Sequence, residues 1–126
     1  MTQKTVLIIE DEEDAADMFA EMMRVSGYRV LKTSSSAPAL TLMETEKPDV
    51  LILDIMMPEI SGLDILRQMR RDSALANIPV VVVSAKSMPA DIKDGMEAGA
   101  SMYLTKPVCF TELKEAIERA LGGQSA

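Results

Sequence analysis

The sequence predicts a doubly wound α/β domain, five β-strands alternating with five α-helices around a parallel sheet. Three observations carry that expectation. Val6–Ile9, Val50–Leu53 and Val80–Val83 are apolar, largely β-branched runs without polar alternation, which suits strands buried on both faces. Each run stops at a polar or acidic residue, at Glu10-Asp11, Asp54 and Ser84 respectively. Candidate strands start near 6, 28, 50, 80 and 102 with a helical pattern after each, and this alternation implies right-handed crossovers.

In chain order, the first strand is followed by a helix over 12–26, with Ala15, Met18, Phe19, Met22 and Val25 on one stripe. On this reading Met18 and Met22 are core filler. Acids crowd its first turn, where the helix dipole favours them, so Glu12, Glu13, Asp14 and Asp17 are expected to cap it. Gly27 closes it. Tyr28–Thr33 has the mixed polarity of an edge strand and leads to a helix over 36–46 carrying Ala39, Leu40 and Met43. After Val50–Leu53 comes a helix over 62–71 with Leu63, Leu66 and Met69 inward. The helix over 89–98 begins at Pro89, a good first helical position, and ends at Gly99. Met102–Thr105 is a second edge strand. The last helix, over 110–121, places Leu113, Ile117 and Leu121 in register, with Thr111 or its neighbour as cap. A domain over 4–121 with a short tail, 122–126, is expected.

The chain has 126 residues, enough for one domain. Its net charge of −7 argues against a nucleic-acid surface, because phosphate contacts require Lys and Arg. There is no histidine, which removes Ser/His and Cys/His catalysis and imidazole zinc sites. The single cysteine, Cys109, allows no internal disulfide and fits a reducing compartment; it is expected to pack rather than to sense redox state. Only Phe19, Tyr28, Tyr103 and Phe110 are aromatic, a poor supply for stacking a flavin. No targeting or membrane segment is visible, so a cytoplasmic location is expected.

In an open parallel sheet, ligands bind beyond the carboxyl ends of the strands. Glu10, Asp11, Asp54, Ser84 and Lys106 would converge there. Clustered carboxylates repel unless they share a cation, and an all-oxygen donor set suits a hard ion such as Mg²⁺. With Lys106 and Ser84 to hold phosphoryl oxygens, the inventory fits transient phosphorylation of a carboxylate. Asp54, alone at a central strand end, is the best nucleophile. Taken singly, Glu10-Asp11 serves as well to start a helix as to bind metal, Ser84 is an ordinary turn hydroxyl and Lys106-Pro107 an ordinary loop. Their joint placement makes the case.

The chain resembles the receiver domain of two-component response regulators over residues 4–121. The residues that carry the likeness are Val6-Leu7-Ile8-Ile9-Glu10-Asp11, Leu53-Asp54-Ile55-Met56-Met57-Pro58 with Ser61-Gly62, Val83-Ser84-Ala85, and Tyr103-Leu104-Thr105-Lys106-Pro107. The resemblance implies a flavodoxin-like (βα)5 sandwich with strand order 2-1-3-4-5. It implies phosphorylation of Asp54 by a phosphohistidine on a histidine kinase or histidine phosphotransfer protein. It also implies Mg²⁺, or Mn²⁺ in its place, held by Asp11, Asp54 and the Met56 backbone carbonyl, with Glu10 acting through metal-bound water. Lys106 would pair with phosphoryl oxygens and form a cis peptide with Pro107. Ser84 would move towards the phosphate and Tyr103 turn inward behind it.

By the same resemblance, Met56 and Lys86 tune the phosphoryl lifetime, and the Met56 side chain faces the water that removes the phosphoryl group. Met cannot orient that water as Asn or Glu can, so a long-lived aspartyl phosphate is expected. The acidic pair is Glu-Asp where Asp-Asp is commoner, and Ser84 replaces a commoner Thr while keeping the hydroxyl. The expected protein is a stand-alone signalling switch, monomeric or dimerising on phosphorylation, that reads out through the face of the fourth helix, fifth strand and fifth helix. An aspartyl-phosphate phosphatase or phosphotransferase is the competing enzyme class; it generally wants a second acid two residues after the nucleophile, where this chain has Met56. A flavin module of the same fold is opposed by acids where phosphate would sit.

Overall fold

The computed structural model describes residues 3–57 and 61–122, and of Ser36 the backbone alone. Pro58 of the Asp54 motif and residues 123–126 of the expected tail lie outside the described residues. The elements run β1 (Thr5–Ile9), α1 (Glu13–Val25), β2 (Arg29–Thr33), α2 (Ser36–Glu46), β3 (Val50–Leu53), α3 (Gly62–Arg71), β4 (Val80–Ser84), α4 (Pro89–Ala98), β5 (Met102–Thr105) and α5 (Phe110–Gly122). Gly122 therefore ends α5 rather than starting a tail. The sheet is parallel in the order β2-β1-β3-β4-β5, so the two strands of mixed polarity are its edges.

Alternation along the central strands divides the core in two. Val6, Ile8, Val50, Ile52, Val81 and Val83 pack on one side with α1 and α5. Leu7, Ile9, Leu51, Leu53, Val80 and Val82 pack on the other with α2, α3 and α4. Because both faces are covered, the runs could afford no polar alternation.

The first helix sits differently from expectation. Its buried residues are Ala15, Ala16, Phe19, Ala20 and Met23, while Met18 is 45% and Val25 68% exposed and Met22 only half-buried. Met18 is thus a surface residue and not core filler. Three alanines line the buried face because a small side chain lets a helix approach a sheet closely. Of the four acids expected to cap this helix, Glu12 occupies the cap position but makes no side-chain cap bond, and Asp17 instead pairs with Lys32 on β2. At the other end Gly27, at φ 98°, donates to the Arg24 carbonyl and Tyr28 to that of Met23, the Schellman pattern. Tyr28 therefore still belongs to the helix exit, and β2 begins one residue later than expected.

In α3 the buried positions are Gly62, Ile65, Leu66 and Met69, and in α5 Leu113, Ala116, Ile117 and Ala120; Leu63 and Leu121 lie at the margins. Thr111 falls inside α5 rather than capping it. Cys109 precedes the helix, its carbonyl accepting from Leu113 N–H at 3.0 Å, and it is exposed rather than packed. On α3, the Arg70 guanidinium gathers three carbonyls. Nε and Nη2 donate to Gly99 at 3.1 and 2.7 Å, and Nη1 to Ala76 at 2.9 Å and Ile78 at 2.7 Å. That ties the end of α4 to α3 and to the approach of β4. No described helix is long and apolar enough to cross a membrane.

Candidate functional site

Strand register assembles the site. Ile9 lies opposite Leu53, so the next residues, Glu10 and Asp54, leave adjacent central strands side by side. Ser84 ends β4, opposite Thr105, and Lys106 follows; its N–H donates to the Ser84 carbonyl at 2.8 Å. Five residues from four segments thus reach one rim of the sheet.

Lys106 Nζ bridges two acids, donating to Glu10 Oε1 at 2.8 Å and to Asp54 Oδ2 at 3.0 Å. The second oxygens are also held: Asp54 Oδ1 accepts from Met56 N–H at 2.8 Å and Glu10 Oε2 from Glu12 N–H at 3.2 Å. The Glu10 side chain is only 1% exposed and that of Asp54 6%, against 24% for Lys106. Burial pushes the Glu10 carboxyl up to about 7; the hydrogen bond from Lys106 opposes this, while Asp54 beside it adds to it. Burial likewise works against the Lys106 charge, but its bonds to Glu10 and Asp54 more than offset that and hold it above the usual lysine range.

Glu10, Asp11 and Asp54 each offer a carboxylate oxygen, all within 4.8 Å of one another, with Asp11 the exposed member. Three oxygen donors without nitrogen or sulfur fit a hard divalent cation. Around this centre, the Met56 side chain is 47% exposed, and the Lys106-Pro107 peptide is cis. Ser84 is fully buried and its Oγ accepts from Lys86 N–H at 3.1 Å. Tyr103 is half-buried, and its hydroxyl donates to the Lys86 carbonyl at 2.7 Å. Burial raises its phenol above the ordinary value, with a Ser84 hydrogen bond acting the other way.

Two glycines matter that strand-end reasoning does not reach. A Cβ on Gly62 would lie 2.5 Å from Ile55 Cα and 2.8 Å from the Asp54 carbonyl oxygen, so α3 touches the backbone behind Asp54. Gly95, buried in α4, meets the Tyr103 ring in the same way. The one sequence signal for Gly95 is a glycine in a helix interior with no capping role.

A doubly wound sheet with acids, a hydroxyl and a lysine gathered at its carboxyl rim defines a receiver-type signalling domain. The chain belongs to the response regulator receiver domain family, whose model matches residues 6–118. It is 34% identical over 119 residues to the polar-differentiation response regulator DivK of Brucella ovis, covering 94% of this chain and 97% of that protein. Among solved structures, a response regulator receiver domain protein from Clostridium thermocellum superposes with a TM-score of 0.87 at 30% identity, covering 97% of each chain. The chemotaxis response regulator CheY4 of Vibrio cholerae gives 0.89 at 25% identity, covering 95% of this chain and all of that one. The family is one of signalling domains of two-component systems, in agreement with the sequence expectation.

Proposed function

We propose that this protein is a cytoplasmic phosphorelay receiver in which Asp54 accepts a phosphoryl group from a phosphohistidine on a histidine kinase or histidine phosphotransfer protein. An Asp54 carboxylate oxygen forms the new bond to phosphorus as the phosphorus–nitrogen bond to the donor's imidazole breaks. The observation that carries the reading is the Lys106 ammonium bridging Asp54 and Glu10 at the carboxyl rim. Asp11, Asp54 and the Met56 backbone carbonyl would hold Mg²⁺, or Mn²⁺ in its place, with Glu10 acting through metal-bound water, and the ion would supply charge neutralisation for the phosphoryl oxygens.

The new group adds about −1.5 to −2 charges, so Lys106 gains a stronger partner and Ser84 a reason to turn towards it. A turn of Ser84 releases Lys86 N–H, and Lys86 also holds Tyr103, so the change reaches the α4–β5–α5 face. The protein acts by binding partners and not by turning over a small substrate.

Intact mass after incubation with acetyl phosphate and Mg²⁺ tests the acceptor. Wild type is expected to gain one phosphate, Asp54→Ala none, and equal labelling of both would refute the assignment. Decay of the labelled protein tests the exposed Met56: Met56→Asn is expected to shorten the phosphoryl lifetime roughly tenfold, less than the ~10²–10⁴-fold of a full acid–base group because Asn only orients the water. An unchanged decay rate removes that role.

A further inference from the structure

The middle of α4 carries a glycine that its helix would be better without. Gly in a helix interior disfavours folding by about fivefold relative to Ala. Gly95 is buried, has no need of positive φ, and is not itself the cap of α4, a role taken by Gly99 at φ 119°. What it faces is one side chain. An added Cβ would stand 2.8 Å from Tyr103 Cδ2 and 2.9 Å from Cε2, closer than carbon atoms pack, and nothing else is as near.

We propose that Gly95 is a positioning residue for Tyr103, its bare Cα leaving the slot in which the ring lies while the hydroxyl bonds the Lys86 carbonyl. The ring is the movable partner here. α4 is held by its backbone bonds, with the Gly95 carbonyl accepting from Ala100 N–H at 3.1 Å. The ring sits on an edge strand and is only half-buried, so it can swing outward when the slot is filled. Filling the slot would break the 2.7 Å bond to Lys86, whose own N–H is bonded to Ser84 Oγ. Gly95 thereby sets the resting position of the residue that couples the rim to the α4–β5–α5 face. The consequence for signalling rests on the function proposed above; the steric claim does not.

The test uses the full chain without phosphorylation. In a Tyr28→Phe background Tyr103 is the only tyrosine, and ¹³C-labelled tyrosine reports its ring by NMR. Gly95→Ala is expected to move the Tyr103 resonances to those of a solvent-exposed ring. In parallel, urea unfolding of a double-mutant cycle reads the clash. Gly95→Ala should favour folding about fivefold when Tyr103 is already Ala, following helix propensity, and should give no such gain when Tyr103 is present. Equal effects of Gly95→Ala in both backgrounds, or unmoved Tyr103 signals, would overturn the proposal. Neither readout needs Asp54 to accept phosphate, so failure of the acetyl phosphate experiment leaves both interpretable.

Discussion

Lys106→Ala is expected to destabilise the protein by about 2–4 kcal/mol near pH 8 in the absence of Mg²⁺, and by markedly less near pH 5. Glu10 and Asp54 are both buried and both bonded to the same ammonium, at 2.8 and 3.0 Å. Removing it leaves two carboxylates facing each other without compensation, which is costlier than never having built the pair. The pH dependence follows from Glu10. Its carboxyl, pushed up to about 7 in the folded protein against an ordinary 4.5, binds a proton more tightly folded than unfolded. The contribution of Glu10 to stability is therefore fully present below about 4.5 and is lost as pH rises through the folded value. Without Lys106, which holds Glu10 down, the folded value climbs further and the decline extends to higher pH. Urea midpoints of wild type and variant near pH 5 and pH 8 would show the gap widening with pH. Mg²⁺ should narrow it at high pH, because a cation bound by the acids stabilises the state that binds it. A gap independent of pH would show that Lys106 contributes through packing of its stem and not through charge.

Gly62→Ala is expected to lower stability by about 3 kcal/mol or more and to slow phosphoryl uptake at least about tenfold. The cause is steric and local to Asp54. The new methyl would press on Ile55 Cα and on the Asp54 carbonyl oxygen, and both are backbone atoms that no rotamer change can move. Gly62 N–H also donates to the Ile55 carbonyl at 3.2 Å, and Ser61 Oγ caps the helix by accepting from Leu63 N–H at 3.1 Å. The strain must shift α3 outward or drag the segment carrying Asp54 and Met56. Urea midpoint and the acetyl phosphate reaction rate measure the two effects. A variant with wild-type values in both would mean that α3 can slide without disturbing the rim.

The fold was readable because its signals are local. A β-branched run such as Val80–Val83 has few uses other than a strand covered on both faces, and the glycines at 27 and 99 mark helix exits by backbone conformation alone. The orientation of α1 was not, because its inward face is built from alanines, weak markers of burial, while the conspicuous Met18 and Val25 point to solvent. Asp17 looked like a helix-start acid because its partner Lys32 comes from another element. The rim could be anticipated for the same reason as the fold: strand ends follow from strand order. Its wiring could not. That one lysine would bridge Glu10 and Asp54, or that Gly62 and Gly95 would be fitted to Ile55 and Tyr103, depends on contacts between elements far apart in the chain.

The Arg70 clamp has a mechanical consequence. With three carbonyls tied to one guanidinium, the Gly99 end of α4 is anchored, while the opposite end, at Met88 and Pro89, is exposed. A rod of ten residues, about 15 Å long, held at one tip turns about that tip if it moves at all. Displacement in such a turn grows linearly from the anchored tip to the other, so any rotation of α4 would be largest at its exposed end, the one nearer Ser84 in sequence. Arg70 thus fixes which end of α4 is the pivot.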